Sequence, residues 1–442
     1  MTPTHVIKRD GSLQPYNLEK ITAVALKALQ EVDSGTAAAD LMADAEKVAK
    51  LTEQKVEVMC KAAAAATPGS RYADMCQDGN PAVEEIQDLV ETALMELDYF
   101  DAAKAFILYR DSRKKMRERS LFRKRIELKP YEYPELAEYV DAVRHSYWVH
   151  TEFSYTSDVH DFKTNINEAE AGAIKNAMLA IAQIEVAVKS FWGDLYKKMP
   201  KPEVAAVGMT FAESEVRHMD AYSHLLEVLG LNDEFKGLTE VPAIKKRINY
   251  LEKVITLSKT DDDREYSNAI ALFSLFIEHV SLFSQFLIMM SFNKHRNLFK
   301  GISNAVEATS KEEQIHGMFG TALINLIKEE HPEWFGDDHA EIVRDMCEEA
   351  YEAEMKIIDW IFEKGELEFL PKAVVQEFIK DRFNRALEGI GLTAMFATDE
   401  ALLAETEWFD EEVFATKHTD FFYKRSINYT KRQQSVTTND LF

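Results

Sequence analysis

Two short patterns restrict this chain more than any other feature: Glu215-x-x-His218 and, about a hundred residues later, Glu313-x-x-His316. Side chains three apart leave a helix on one face, one turn from each other, so each pair can reach a single metal ion. Two more carboxylates sit inside apolar stretches, Glu185 in Ile184-Glu-Val-Ala-Val188 and Glu278 in Phe276-Ile-Glu-His-Val280. A buried carboxylate without a partner is costly, so four of them with two histidines point to metal. Helical bundles hold two ions with one Glu from each of two helices and a Glu-x-x-His from each of two others. The expected ligands are therefore Glu185, Glu215, His218, Glu278, Glu313 and His316. Two divalent ions would neutralise the four carboxylates and let the site lie in an apolar bundle. Oxygen and nitrogen donors of this kind accept manganese and iron alike.

The periodicity from Tyr147 onward predicts long helices over about 166–192, 202–229, 242–258, 264–294, 298–329, 338–363 and 372–391, with almost no strand pattern. The fold class is mainly α, a ferritin-like helical bundle in which the four ligand-bearing segments fall on four helices. Ahead of it, His5 to Asn17 reads as a short strand, an Asp10-Gly11 turn and a second short strand, with Asn17 capping a helix to about Gln30. Thr52 is expected to cap the next helix, which ends at Pro68-Gly69; further helices run over about 81–97 and 101–117. The Arg/Lys-rich run before Pro130 and Pro134 reads as a linker. The expected domains are 1–115, a basic linker 116–145, the bundle 146–405 and a flexible tail 406–442.

Composition excludes several roles. A formal charge of −24 argues against nucleic acid and anionic membrane surfaces as partners. The apolar run Ala269–Phe292 is interrupted by Glu278, His279, Ser281, Ser284 and Gln285, which fits a bundle helix rather than a membrane span. The first residues lack the apolar core of a signal peptide, and three cysteines form neither a CxxC nor an even framework. Both observations fit a cytoplasmic protein.

The N-terminal stretch, with Val6-x-Lys8-Arg9-Asp10-Gly11, Asn17-x-x-Lys20-Ile21, Val83-x-x-Ile86-x-x-x-Val90-Glu91 and Tyr109-Arg110, resembles the ATP-cone. This is the nucleotide-sensing domain of ribonucleotide reductases and of a repressor of their genes. The resemblance implies that Lys8, Arg9 and Lys20 hold phosphates, with Val6, Gln14, Asn17 and Thr52 around base and sugar, and that ATP and dATP are allosteric effectors. With no Walker P-loop and no complete GxGxxG, the nucleotide is expected to be sensed rather than hydrolysed.

From about residue 145 the order Trp148, Glu185, Glu215-x-x-His218-x-x-x-Tyr222, Glu278, Glu313-x-x-His316 and Phe421-Phe422-x-Lys424-Arg425-x-x-x-Tyr429 resembles the radical-generating β subunit of class I ribonucleotide reductase. The resemblance implies a dinuclear centre whose oxidising equivalent reaches a cysteine of a separate catalytic α subunit. Trp148 would link the metals to the surface, and Tyr429 would carry the equivalent across the interface. Tyr222 matches the position of a stable tyrosyl radical, and Glu312 stands where an Asp commonly bridges Trp and His. Ser435–Phe442 resembles the tail that docks on α. Glu185 replaces the common Asp ligand, as in manganese-containing branches; two manganese ions are favoured, with manganese plus iron or two irons as the other metal contents. The expected assembly is a homodimer that dATP drives to a higher oligomer. The alternative is a ferritin-like storage protein, or a dimetal oxygenase or oxidase acting on a small substrate. An oxygenase would need an open channel, for which Phe273, Phe276, Phe283, Phe286, Met289 and Met290 are the candidate lining.

Overall fold

The structure, a computed structural model, describes residues 3–8, 11–33, 35–66, 75–186 and 188–414. Arg9, Tyr429 and the docking tail lie outside the described residues. The chain divides into two units, Met1–Arg119 and Ser120–Phe442.

In the first unit, β1 (His5–Ile7) and β2 (Leu13–Pro15) form the expected antiparallel hairpin with Val6 opposite Gln14, and Gly11 helps reverse the chain at φ 82°. Asn17 accepts a hydrogen bond from the Glu19 backbone N–H at 2.7 Å and so starts α1 (Leu18–Val32). The helix α2 (Ala38–Ala64) begins well before Thr52, which is a correction to the expected cap. Leu41, Ala45, Val48, Ala49, Thr52 and Val56 form one buried stripe, and that helical period carries the helix through Thr52. A second hairpin, β3 (Cys76–Gln77) with β4 (Asn80–Pro81), leads into α3 (Val83–Glu96) and α4 (Phe100–Glu118). Arg110 fastens α4 to α3 by pairing with Glu84, Asp88 and Glu91. Cys60 and Cys76 are joined by a disulfide, their Cα atoms 5.3 Å apart, where no pairing was expected; the end of α2 lies beside β3 and brings them together.

The second unit begins at Ser120, so most of the stretch expected to be a linker packs on the bundle. Leu121 and Tyr133 are fully buried, and the backbone N–H of Tyr133 donates to Glu203 at 2.9 Å. After α5 (Pro134–His145) and α6 (Thr156–Thr164), α7 (Glu168–Ile184) starts at a reciprocal Asn167–Glu170 capping box and stops at Glu185. The single helix expected to reach residue 192 is therefore two, the second being α8 (Lys189–Lys198). Pro202 opens α9 (Pro202–Leu229), and Gly230, left-handed at φ 75°, ends it where expected. Next come α10 (Asn232–Lys236), α11 (Pro242–Leu257), α12 (Asp263–Leu272), a π-helical stretch (Phe273–Ser281) and α13 (Phe283–Arg296). The chain continues through α14 (Lys300–Glu330), α15 (Asp337–Ile361), α16 (Lys372–Gly389), α17 (Glu400–Ala404) and α18 (Glu407–Phe414). Phe409 is fully buried and meets Phe283 and Phe378 edge-on, so packed chain continues past residue 406, where the tail was expected to begin.

The π-helical stretch carries Glu278 and presses on α14 at two glycines. A Cβ on Gly317 would lie 2.8 Å from His279 Nδ1, and one on Gly320 would overlap Ser274. Among the described residues, the run Asp263–Arg296 is long and apolar enough to cross a membrane; 94% of its most apolar window is buried in the bundle. Phe273, Phe276, Phe283, Phe286, Met289 and Met290 are all buried on this run. Phe273 stacks on Phe191 with centroids 3.8 Å apart, and the Arg382 guanidinium lies 3.5 Å from the centre of the Phe283 ring, so these side chains are packed core.

Candidate metal centre

Four helical segments bring the six expected ligands to one place. Glu185 stands at the end of α7, Glu215 and His218 on α9, Glu278 in the π-helical stretch, and Glu313 and His316 on α14; each is at most 1% exposed. Their donor atoms form two overlapping sets, Glu185–Glu215–His218–Glu313 and Glu215–Glu278–Glu313–His316, each with all atoms within 4.8 Å of one another. Glu215 and Glu313 belong to both sets, so the two Glu-x-x-His pairs could serve two ions held side by side.

The histidine rings show which nitrogen faces inward. His218 Nδ1 lies 2.9 Å from Glu313 and 3.4 Å from Glu215, whereas His316 Nδ1 lies 3.0, 3.2 and 3.4 Å from Glu215, Glu313 and Glu278. The other nitrogens face outward: His218 Nε2 is 2.7 Å from Glu312 Oε2, and His316 Nε2 is 3.0 Å from the Ser214 hydroxyl. Ser214 donates to the Phe211 carbonyl, which leaves its oxygen to accept from the His316 N–H. Outer partners of this kind fix the tautomer and leave Nδ1 bare for a metal.

Glu312 joins the ligand set to Trp148. Besides facing His218, it accepts from Trp148 Nε1 at 3.2 Å and from both terminal nitrogens of Arg217, at 3.1 and 3.2 Å. Arg217 also donates to the Trp148 carbonyl, and the Trp148 ring lies nearly parallel to that of His218 with centroids 6.0 Å apart. Tyr222 is buried one turn beyond His218; burial, reinforced by the charge of Glu185, holds its phenol well above the ordinary range.

Without metal this cluster is electrostatically unfavourable. Burial pushes Glu185 and Glu278 well above the usual carboxylate range. His218 and His316 would be lowered by burial, but the carboxylates around them outweigh it and hold both well above an ordinary imidazole. Two divalent cations taking the place of the protons on these groups would offset the four buried carboxylates, so the donor set fits two such ions.

Sequence reasoning missed three residues here. Arg217 is adjacent to His218 in sequence but gave no local sign of being buried. Ser214 and Trp192 act through partners 102 and 86 residues away.

In the first unit, Val6 and Gln14 face each other across the hairpin, half-buried Lys8 follows β1, and Asn17 and Lys20 lie at the exposed start of α1. Thr52 is fully buried and its hydroxyl donates to the Val48 carbonyl, so that group is already engaged.

Comparison with known proteins finds two families along the chain. The family described as ribonucleotide reductase, small chain matches residues 125–402, and the ATP cone domain matches residues 69–115. A probable ribonucleoside-diphosphate reductase small subunit of Invertebrate iridescent virus 3 is 27% identical over 322 residues, covering 70% of this chain and 85% of the relative. Among solved structures, the ribonucleotide reductase R2 subunit from Clostridium botulinum superposes with a TM-score of 0.57 at 16% identity, covering 64% of this chain and 88% of that one. The dimanganese(II)-NrdF of Streptococcus sanguinis gives 0.55 at 18% identity, covering 64% and 97%. At these identities the likeness is one of fold. The small-chain match spans more than half of the sequence and takes in every residue of the buried ligand set, so this chain belongs to the ribonucleotide reductase small chain family.

Proposed function

We propose that the six ligands hold two manganese ions and that the oxidising equivalent leaves the site through His218, Glu312 and Trp148 for a separate catalytic subunit. The observation that carries this reading is Glu312, which touches His218, Trp148 and Arg217 at once. Held by Glu185, Glu215, His218, Glu278, Glu313 and His316, the metal pair would supply one oxidising equivalent. The protein's part is positional: Glu312 holds the His218 and Trp148 N–H groups on one oxygen, and Arg217 pairs with Glu312 through both terminal nitrogens. From Trp148 the equivalent passes to Tyr429 in the C-terminal tail, which docks on the catalytic subunit. Manganese is favoured by Glu185 at the first ligand position.

Reconstitution with manganese, iron or both, followed by metal analysis, low-temperature EPR and assay of ribonucleotide reduction with the catalytic subunit, tests this. The expected result is a multiline coupled-manganese signal that tracks activity. A sharp tyrosyl signal, active with iron and lost in Tyr222→Phe, would move the equivalent to Tyr222. Inactivity with every metal would overturn the reading.

The first unit supplies control by nucleotide. Lys8, Arg9 and Lys20 hold the triphosphate of ATP or dATP, with Val6, Gln14 and Asn17 near base and sugar, while Thr52, buried and engaged by Val48, stays in the helix core; a tight turn and a helix start with cations beside them suit a triphosphate. The small subunit is a homodimer with ATP, and dATP drives it to a higher oligomer that hides the surface for the catalytic subunit. On size exclusion the full chain is expected to elute earlier with dATP than with ATP, whereas a chain starting at Ser120 is expected not to respond. The same dATP response in both would refute control by the first unit.

A further inference from the structure

Trp192 lies outside the ligand set and holds one member of it. It is fully buried in α8 and donates its indole N–H to Glu278 Oε1 at 3.0 Å. The ring cannot turn away: Phe211, Phe273 and Phe319 meet it edge-on with centroids at 5.2, 5.5 and 5.8 Å, and His316 lies at 6.0 Å. An indole offers one donor and no acceptor, so it engages one carboxylate oxygen and leaves the other. The oxygen left is Oε2, which lies 3.4 Å from His316 Nδ1 and so faces the metal side.

This contact bears on one of the two metal positions. Glu278 belongs only to the set with His316, whereas Glu215 and Glu313 are common to both. Outside that set the second histidine is backed by the neutral Ser214 hydroxyl, while His218 is backed by the carboxylate of Glu312. A carboxylate partner raises ligand basicity more than a hydroxyl does, so the position at His316 has the weaker histidine donor and relies more on Glu278.

We propose that Trp192 is a positioning residue which makes Glu278 present a single oxygen to the second metal position, so that filling of this position depends on the indole N–H and filling of the first does not. The proposal rests on the two-ion reading of the six ligands, and one titration tests both.

Metal-free full-length protein is titrated with Mn(II), with the free ion followed by its six-line EPR signal. The wild type is expected to take up two equivalents. Trp192→Phe keeps an aromatic ring and removes the donor; it is expected to bind the first equivalent within about 2-fold of wild type and the second about 10–100-fold more weakly. At equal loading its coupled two-ion signal should give way to that of an isolated bound ion. If the Phe variant does not fold, benzothienylalanine at position 192, which replaces the N–H by sulfur on a ring of the same shape, replaces it in the titration. Equal weakening of both steps would make Trp192 a packing residue and overturn the proposal, as would an unchanged isotherm. A wild type that binds fewer than two equivalents would remove the two-ion site and the proposal with it.

Discussion

Glu312→Gln is expected to lower ribonucleotide reduction by about 10–100-fold while the protein still takes up two ions. Glu312 is fully buried, and three donors meet on its Oε2: Trp148 Nε1, an Arg217 nitrogen and His218 Nε2. A second Arg217 nitrogen meets Oε1. Glutamine has nearly the same shape but only one acceptor oxygen, so whichever way the amide turns, an NH2 group opposes at least one of these donors. Arg217 then loses its buried counter-charge and keeps only Glu213, whose side chain is half exposed. Breaking a buried ion pair from one side costs about 3–5 kcal/mol, so a lower Tm should accompany the loss. Turnover with the catalytic subunit and metal content, measured on the same preparation, separate a failure of transfer from a failure of loading. Glu312→Asp keeps the charge one methylene short and should recover part of the activity. Full activity in Glu312→Gln would mean that the equivalent leaves by another route.

The parts of the site that could be read from the sequence are those with a local signature. Glu215 and His218, or Glu313 and His316, share a helix face because they are three apart, and Glu185 and Glu278 stand out as carboxylates in apolar runs. The ends of α9 were legible for the same reason, since Pro202 and Gly230 act on their own backbone. The contacts of Trp192 with Glu278 and of Arg217 with Glu312 span 86 and 95 residues and leave no period in either helix. Nor was the stop of α7 at Glu185 visible, because the apolar pattern continues through Val188 into α8, where Phe191 and Trp192 are buried too. In the first unit, the alanine-rich start of α2 lacks a capping side chain at Ala37, and Thr52, the expected cap, lies in the helix interior. The two-residue strands β3 and β4 are too short to show alternation.

Removing the metals should reverse the pH dependence of stability. In the metal-free protein Glu185 and Glu278 are raised by burial, and His218 and His316 are raised by carboxylates that outweigh burial. A group whose folded pKa lies above its unfolded value gives stability that is complete below the unfolded pKa and is lost as pH rises through the folded one. The loss should therefore begin above the ordinary carboxylate value of 4.5 and continue past the ordinary imidazole value of 6.5. Glu313 has the opposite sign, because His316 and His218 outweigh its burial and hold it low; its contribution is lost only below pH 4.5, outside this window. Glu354, pushed up to about 7 by burial with Arg247 opposing, lies outside the ligand set and adds the same slope with or without metal, so it cancels in the difference. Loaded protein should behave in the other sense, since ions bind only deprotonated ligands and their affinity rises with pH. At free metal 1,000-fold above the dissociation constant, each ion contributes about 4.1 kcal/mol. Calorimetry with Mn(II) or with chelator at pH 6, 7 and 8 should give Tm values that diverge steadily as pH rises. Parallel curves would mean that the buried cluster keeps its protons when Mn(II) is present and does not exchange them for metal.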